Sequence, residues 1–170
     1  LDHNPEDDKV KYYLGNFLYA HQRFTGAVEL WEQALDGLTD FDIIHRNLGL
    51  AYWQHEDDPA RAVPLFEKAL ALNPNNQDLY LHLDDLYRLG DLPEKRAEML
   101  EAMASLDPIR EDLRKRSLAI MVDLKRYDQA LEIITTEEFV PLEMDQSFHL
   151  IYVQALLGKA EIQMEAGQIS

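Results

Sequence analysis

Residues 42–76 read DIIHRNLGLAYWQHEDDPARAVPLFEKALALNPNN. Two apolar, helix-favouring stretches flank Asp57-Asp58-Pro59, and the phrase closes on the turn Asn73-Pro74-Asn75-Asn76. Working outward, Leu48-Gly49 in HRNLGLAYW repeats Leu14-Gly15 in KYYLGNFLY, 34 residues earlier. Ala27, Ala62 and Ala130 hold like places in FTGAVELWEQAL, DPARAVPLFEKAL and RYDQALEII, with steps of 35 and 68. The copy between them is Arg96, inside LPEKRAEMLEAM, where the other units carry a small residue. Phe24, Pro59, Pro93 and Tyr127 open the second stretch of each unit, and Pro74 and Pro108 close two units 34 apart. Unlike residue types keeping one period near 34 point to stacked helical hairpins.

These phrases resemble the tetratricopeptide repeat: an aromatic, Leu-Gly, an aromatic, then Ala, a bulky apolar residue, Ala and Pro. Leu48, Gly49, Tyr52, Ala62, Phe66, Ala69 and Pro74 supply the pattern in the second unit. Tyr12, Leu14, Gly15, Leu18, Phe24, Ala27, Trp31 and Ala34 supply it in the first. The third unit (Tyr80, Leu83, Tyr87, Leu100, Pro108) and the fourth (Met121, Tyr127, Ala130, Ile134) are more degenerate. The resemblance implies an all-α chain, a right-handed α-α superhelix (solenoid) of about four hairpins plus a long C-terminal helix. Repeats fall at about 8–40, 41–76, 77–109 and 110–136, in one array over 1–170. An insertion at 136–145, carrying Phe139, Val140, Pro141 and Leu142, then precedes a helix at 146–166. Expected helices are 8–20, 24–36, 42–54, 59–72, 77–89, 93–105, 110–124 and 127–135. Small residues let helices approach, and Trp31, Phe66, Leu100 and Ile134 are expected to fill the space between successive hairpins. The order of elements also resembles, less specifically, bacterial repeat regions that follow a β-rich domain of unknown function. The opening at Leu1 and the close after Gly167 to Ser170 suggest an excised piece of a longer protein.

Composition narrows the function classes. Of 170 residues, 46% are apolar, and 16 Lys plus Arg face 32 Asp plus Glu, a net charge of −16. That surface disfavours nucleic acid and anionic membrane as partners. One local exception is residues 110–126, where six basic side chains meet Glu111, Asp112 and Asp123. With no cysteine there is no disulfide, thiolate nucleophile or Cys-based zinc site, and a reducing, cytoplasmic setting is expected. No apolar run reaches the roughly 20 residues that span a bilayer.

Chemistry-bearing motifs are missing from the sequence. Neither GxxxxGK[ST] nor GxGxxG occurs, and Ser105, Ser117, Ser147 and Ser170 lie outside any GxSxG context. Asp78, His82 and Asp85 share a helix face at spacings of four and three, which reads as a solvated face rather than a metal site. No enzyme activity, metal or cofactor is expected.

A binding surface remains. The resemblance places the first helices on the inner wall, and the groove residues expected there are Tyr12, Asn16, Tyr19, Arg46, Asn47, Leu50, Trp53, Leu81, Arg88 and Lys115. Exposed Tyr, Trp and Arg make interaction hot spots, although the same aromatics can serve as packing between helices. Some family members clamp the C-terminal carboxylates of chaperone tails. Asn16 and Asn47 match the asparagine slots, but the cationic slots read Tyr12, Asp78 and His82, which disfavours that ligand. The expected function is a protein-interaction scaffold that takes a peptide or helix, with basic partners favoured by charge. The alternative is a structural arm packed on a catalytic or sugar-binding domain of the same protein. A final helix without its mate would also favour self-association.

Overall fold

The computed structural model describes residues 5–136 and 146–167. Among these, nine α-helices and no strands occur: α1 (Pro5–Ala20), α2 (Phe24–Leu35), α3 (Asp42–Gln54), α4 (Pro59–Leu72), α5 (Gln77–Leu89), α6 (Pro93–Met103), α7 (Glu111–Asp123), α8 (Tyr127–Thr136) and α9 (Gln146–Glu165). The expected helices are present with ends shifted by at most three residues. Phe139, Val140, Pro141 and Leu142, the heart of the expected insertion, lie outside the described residues. Contacts divide the chain into two compact units, Leu1–Leu86 and Tyr87–Ser170.

The turns inside the hairpins explain the period. Three residues separate α1 from α2, α5 from α6 and α7 from α8, but four separate α3 from α4. That extra residue is why Ala27 and Ala62 are 35 apart. Each turn holds one left-handed residue, Gln22 (φ 61°), Asp57 (52°), Asp91 (52°) and Lys125 (59°). The backbone N–H just beyond it bonds back into the first helix, Arg23 to Leu18, Asp58 to Tyr52, Leu92 to Tyr87 and Arg126 to Met121. These bonds satisfy carbonyls that the helix end leaves without a partner. Asp58 also caps α4 by accepting from the Arg61 backbone N–H, with Pro59 at the first helical position.

In unit 1, α1 packs on α2, α3 packs on α4, and α3 also lies against α2. A Cβ on Gly15 would meet the Trp31 ring at 2.5 Å, and one on Gly49 would meet Phe66 at 3.1 Å. Trp31 and Phe66 therefore fill space inside their own hairpins, not only between successive ones as the sequence suggested. Ile44, Leu48, Phe66, Leu79 and Leu83 complete a core that excludes water. Tyr52 joins the hairpins from α3: its hydroxyl donates to Glu32 on α2, and the Arg61 guanidinium lies over its ring at 3.7 Å. Burial, then the Glu32 carboxylate, raises the Tyr52 pKa, so the phenol stays protonated.

Unit 2 is packed from different residues. Leu118, Ala130, Ile134, Phe148, Ile151 and Ala155 of α7, α8 and α9 form one cluster. Where unit 1 uses Ala27 and Ala62, α6 carries Arg96, buried to 7% and ion-paired with Asp123 at 2.9 Å. A Cβ on Gly158 would lie 2.2 Å from the Tyr127 ring, so α9 seats its glycine under the first residue of α8. No helix of the described residues is long and apolar enough to cross a membrane.

Candidate functional site

The first helices of unit 1 hold most of the expected groove. Asn16, Tyr19 and Ala20 of α1, Trp31 of α2, and Asn47 and Leu50 of α3 line a cleft of about 210 Å³. Its polar centre is a fixed chain of hydrogen bonds. Trp31 Nε1 donates to Asn16 Oδ1 at 3.1 Å, Asn47 Nδ2 donates to the same oxygen at 3.3 Å, and Arg46 donates to Asn47 Oδ1 at 3.2 Å. An indole N–H can only donate, which fixes which end of the Asn16 amide faces it. Asn16 therefore keeps its NH₂ group as a donor on the cleft lining. Arg46 Nε is buried and makes no hydrogen bond among the described residues.

An aromatic shelf continues along α3 and α5. Trp53 meets Phe66 edge-on at 6.3 Å and His82 at 5.7 Å, and His82 lies 5.3 Å from Phe66. Burial lowers the His82 pKa, opposed by the carboxylates of Asp78 and Asp85 and aided by Arg46. The imidazole is thus neutral near pH 7, and its face Asp78, His82, Asp85 does not form a metal-ligand cluster. At the other end of the cleft, Tyr19 and His55 share a hydrogen bond of 2.9 Å, with His55 stacked on Phe24 at 3.5 Å.

Of the ten expected groove residues, Asn16, Tyr19, Asn47 and Leu50 line this one cleft, with Arg46 bonded to its rim. Trp53 and Leu81 are half-buried in the same unit. Tyr12 is instead a packing residue, 7% exposed and edge-on to Phe41 at 5.2 Å, because the 37–41 segment folds over it. Arg88 and Lys115 belong to unit 2, where Arg88 is exposed and Lys115 pairs with Glu111 at 2.8 Å and lies over the Phe148 ring. Trp31 also lines the cleft and was not among the expected residues, since an aromatic at a repeat knob reads as core. The basic run 110–126 is matched locally by carboxylates: Arg110 pairs with Asp112 at 2.6 Å and Arg126 with Glu101 at 3.3 Å.

Comparison with known proteins bears on the fold. No protein-family model matches the chain. Among solved structures, MamA superposes with a TM-score of 0.66 at 18% identity, over 93% of this chain and 87% of that one. YrrB, a TPR protein with an unusual peptide-binding site, superposes at 0.62 with 17% identity, over 94% and 91%. The chain has the tetratricopeptide-repeat (TPR) fold. PilF of Pseudomonas aeruginosa is also similar, at a TM-score of 0.58 and 22% identity over 86% of this chain and 66% of that one. In unit 1, positions on the first helices α1 and α3 build most of the cleft lining.

Proposed function

We propose that this chain is a non-catalytic TPR scaffold, working in the cytoplasm, and that the unit 1 cleft holds an extended segment of a protein partner by its backbone. The observation that carries this reading is the hydrogen bonding of Asn16 in the cleft lining: its acceptor oxygen is taken twice, which leaves the NH₂ group as the part it has to offer. Peptide carbonyls are acceptors, so the Asn16 NH₂ group and the one Asn47 N–H not spent on Asn16 suit a main chain better than any particular side chain. Arg46 adds a charged donor at the rim, and Leu50 and Tyr19 supply apolar walls. Beyond the cleft, Trp53 with Asp78 and Asp85 offers an aromatic and acidic shelf for a basic side chain, in keeping with a net charge of −16. The YrrB comparison supports peptide binding as a use of this fold, not the identity of a ligand.

The test begins with peptides selected from a random display library against the whole chain, then synthesised and titrated by calorimetry. Asn16→Asp keeps the acceptor for Trp31 and loses the NH₂ donor without changing size. We expect it to weaken binding at least tenfold, with Arg46→Ala close behind and Lys115→Ala neutral. Binding that ignores Asn16 and Arg46 would reject the cleft, and a library that returns no binder would favour the structural-arm alternative.

A further inference from the structure

The cleft of unit 1 has a counterpart one repeat further on, built from different side chains. Moving along by one repeat takes Tyr19 to Trp53 and Asn16 to Leu50, 34 residues on in both cases. It takes Trp31 to Phe66, Asn47 to His82 and Leu50 to Asp85, 35 residues on, because the four-residue turn between α3 and α4 intervenes. Ring geometry repeats with the sequence: Tyr19 lies 5.3 Å from Trp31, and Trp53 lies 6.3 Å from Phe66. The chemistry changes. Where the first position offers the amides of Asn16 and Asn47, the second offers the Trp53 and His82 rings and the Asp85 carboxylate, with Asp78 one helical turn before His82. The charged groups that face His82 are Asp78, Asp85 and Arg46, a balance of one negative charge.

A ligand that uses both positions presents side chains on one face at the spacing of the first helices. Neighbouring packed helices lie about 8–10 Å apart. A β-strand returns to the same face every two residues, at about 6.6 Å and then 13 Å, and misses that spacing. An α-helix reaches it, but its carbonyls are bonded internally and cannot accept from Asn16 and Asn47. A polyproline II helix returns to one face every three residues, at about 9.3 Å, and keeps its carbonyls available. Segments of that form dock on aromatic-lined grooves, and Tyr19 and Trp53 supply aromatic rings at equivalent points. We propose that the cleft takes a basic, proline-rich segment in the polyproline II conformation, with an apolar side chain beside Tyr19 and Leu50 and a Lys or Arg three residues away beside Trp53 and Asp85, a specificity that rests on the main-chain reading of the cleft. The cation gains from the Trp53 ring face and from the Asp78 and Asp85 carboxylates, against one opposing charge on Arg46. The net charge of −16 draws a basic segment toward the same surface.

Capped oligoproline peptides carrying one Leu and one Arg test this, titrated by calorimetry into the 170-residue chain. Leu-Pro-Pro-Arg, or its reverse Arg-Pro-Pro-Leu, should bind about tenfold tighter than versions with one or three prolines between the two, or with Glu in place of Arg. Asp85→Asn should weaken the Arg peptide about fivefold and leave the same peptide with norleucine for Arg unchanged. Should that variant disturb folding, Asp78→Asn, at an exposed position, replaces it. Equal binding at all spacings, an Arg peptide indifferent to both substitutions, or no binding of any oligoproline would overturn the proposal. If library-selected peptides then still lose affinity in Asn16→Asp, the main-chain reading stands and only the polyproline II register falls. Selected peptides that ignore Asn16 would remove the main-chain reading and this register with it.

Discussion

Unit 1 and the α7–α8 hairpin of unit 2 solve one packing problem with different residues. In α1–α2 and α3–α4 a glycine lies under a large ring, Gly15 under Trp31 and Gly49 under Phe66. In α7–α8 the equivalent places hold Leu118 and Ile134, two middle-sized side chains in one cluster. Both arrangements fill the space between two helices, and total volume matters more than its division. The division still has consequences. A glycine cannot repack when its aromatic partner is lost, whereas two aliphatic side chains can shift toward each other. Only the glycine–aromatic version places an indole N–H beside Asn16, which is how the first unit acquires an oriented polar cleft.

The largest expected effect tests that contrast. Phe66→Ala should lower stability by about 4 kcal/mol, more than the roughly 2–3 kcal/mol for Ile134→Ala, as chemical denaturation followed by helical signal would show. Equal losses would mean that glycine packing is no less forgiving. Next comes the small-residue position. Asp123→Ala removes an exposed carboxylate but leaves the Arg96 guanidinium buried, and should cost about 1–2 kcal/mol. Arg96→Met, which removes the charge and keeps the length, should cost less than about 1 kcal/mol, and the reverse order would contradict the pairing. The smallest effect concerns pH. Burial holds His82 below its ordinary pKa, so as pH falls through about 6.5 the unfolded chain takes up the proton first. Stability contributed by the neutral ring is full above that range and is lost on acidification. Denaturation at pH 7.5 and 5.5 should show a smaller loss for His82→Gln than for wild type, and an equal loss would place the titration elsewhere.

Much of the fold was legible because its strongest signals are volumetric. Leu-Gly phrases, knob aromatics and Ala positions recur by residue type, and the helices follow from them. The turns were not legible in the same way, since Gln22, Asp57, Asp91 and Lys125 adopt one left-handed conformation with no common residue. Leu157-Gly158 repeats the phrase of Leu14-Gly15, but the length of the 136–145 segment shifts it out of period. The cleft was half legible. Helical register brought Asn16, Tyr19, Asn47 and Leu50 to one face, but register could not distinguish Tyr12, which the 37–41 segment covers, from Tyr19, which lines the cleft. The exposure of Val10, Leu14 and Phe17 on α1 was invisible for a related reason. Val10, Leu14 and Phe17 match covered residues in α3, and only the packing tells them apart.

If the cleft binds as proposed, Asn16 and Asn47 present side-chain donors to a bound main chain. Nitrogen-15 spectra of the whole chain, recorded while a selected peptide is added, resolve those side-chain NH₂ pairs directly. Both Asn16 and Asn47 resonances should move with peptide concentration, and those of Asn75 and Asn76 should stay fixed. Saturating binding with the Asn16 and Asn47 pairs unmoved would contradict it.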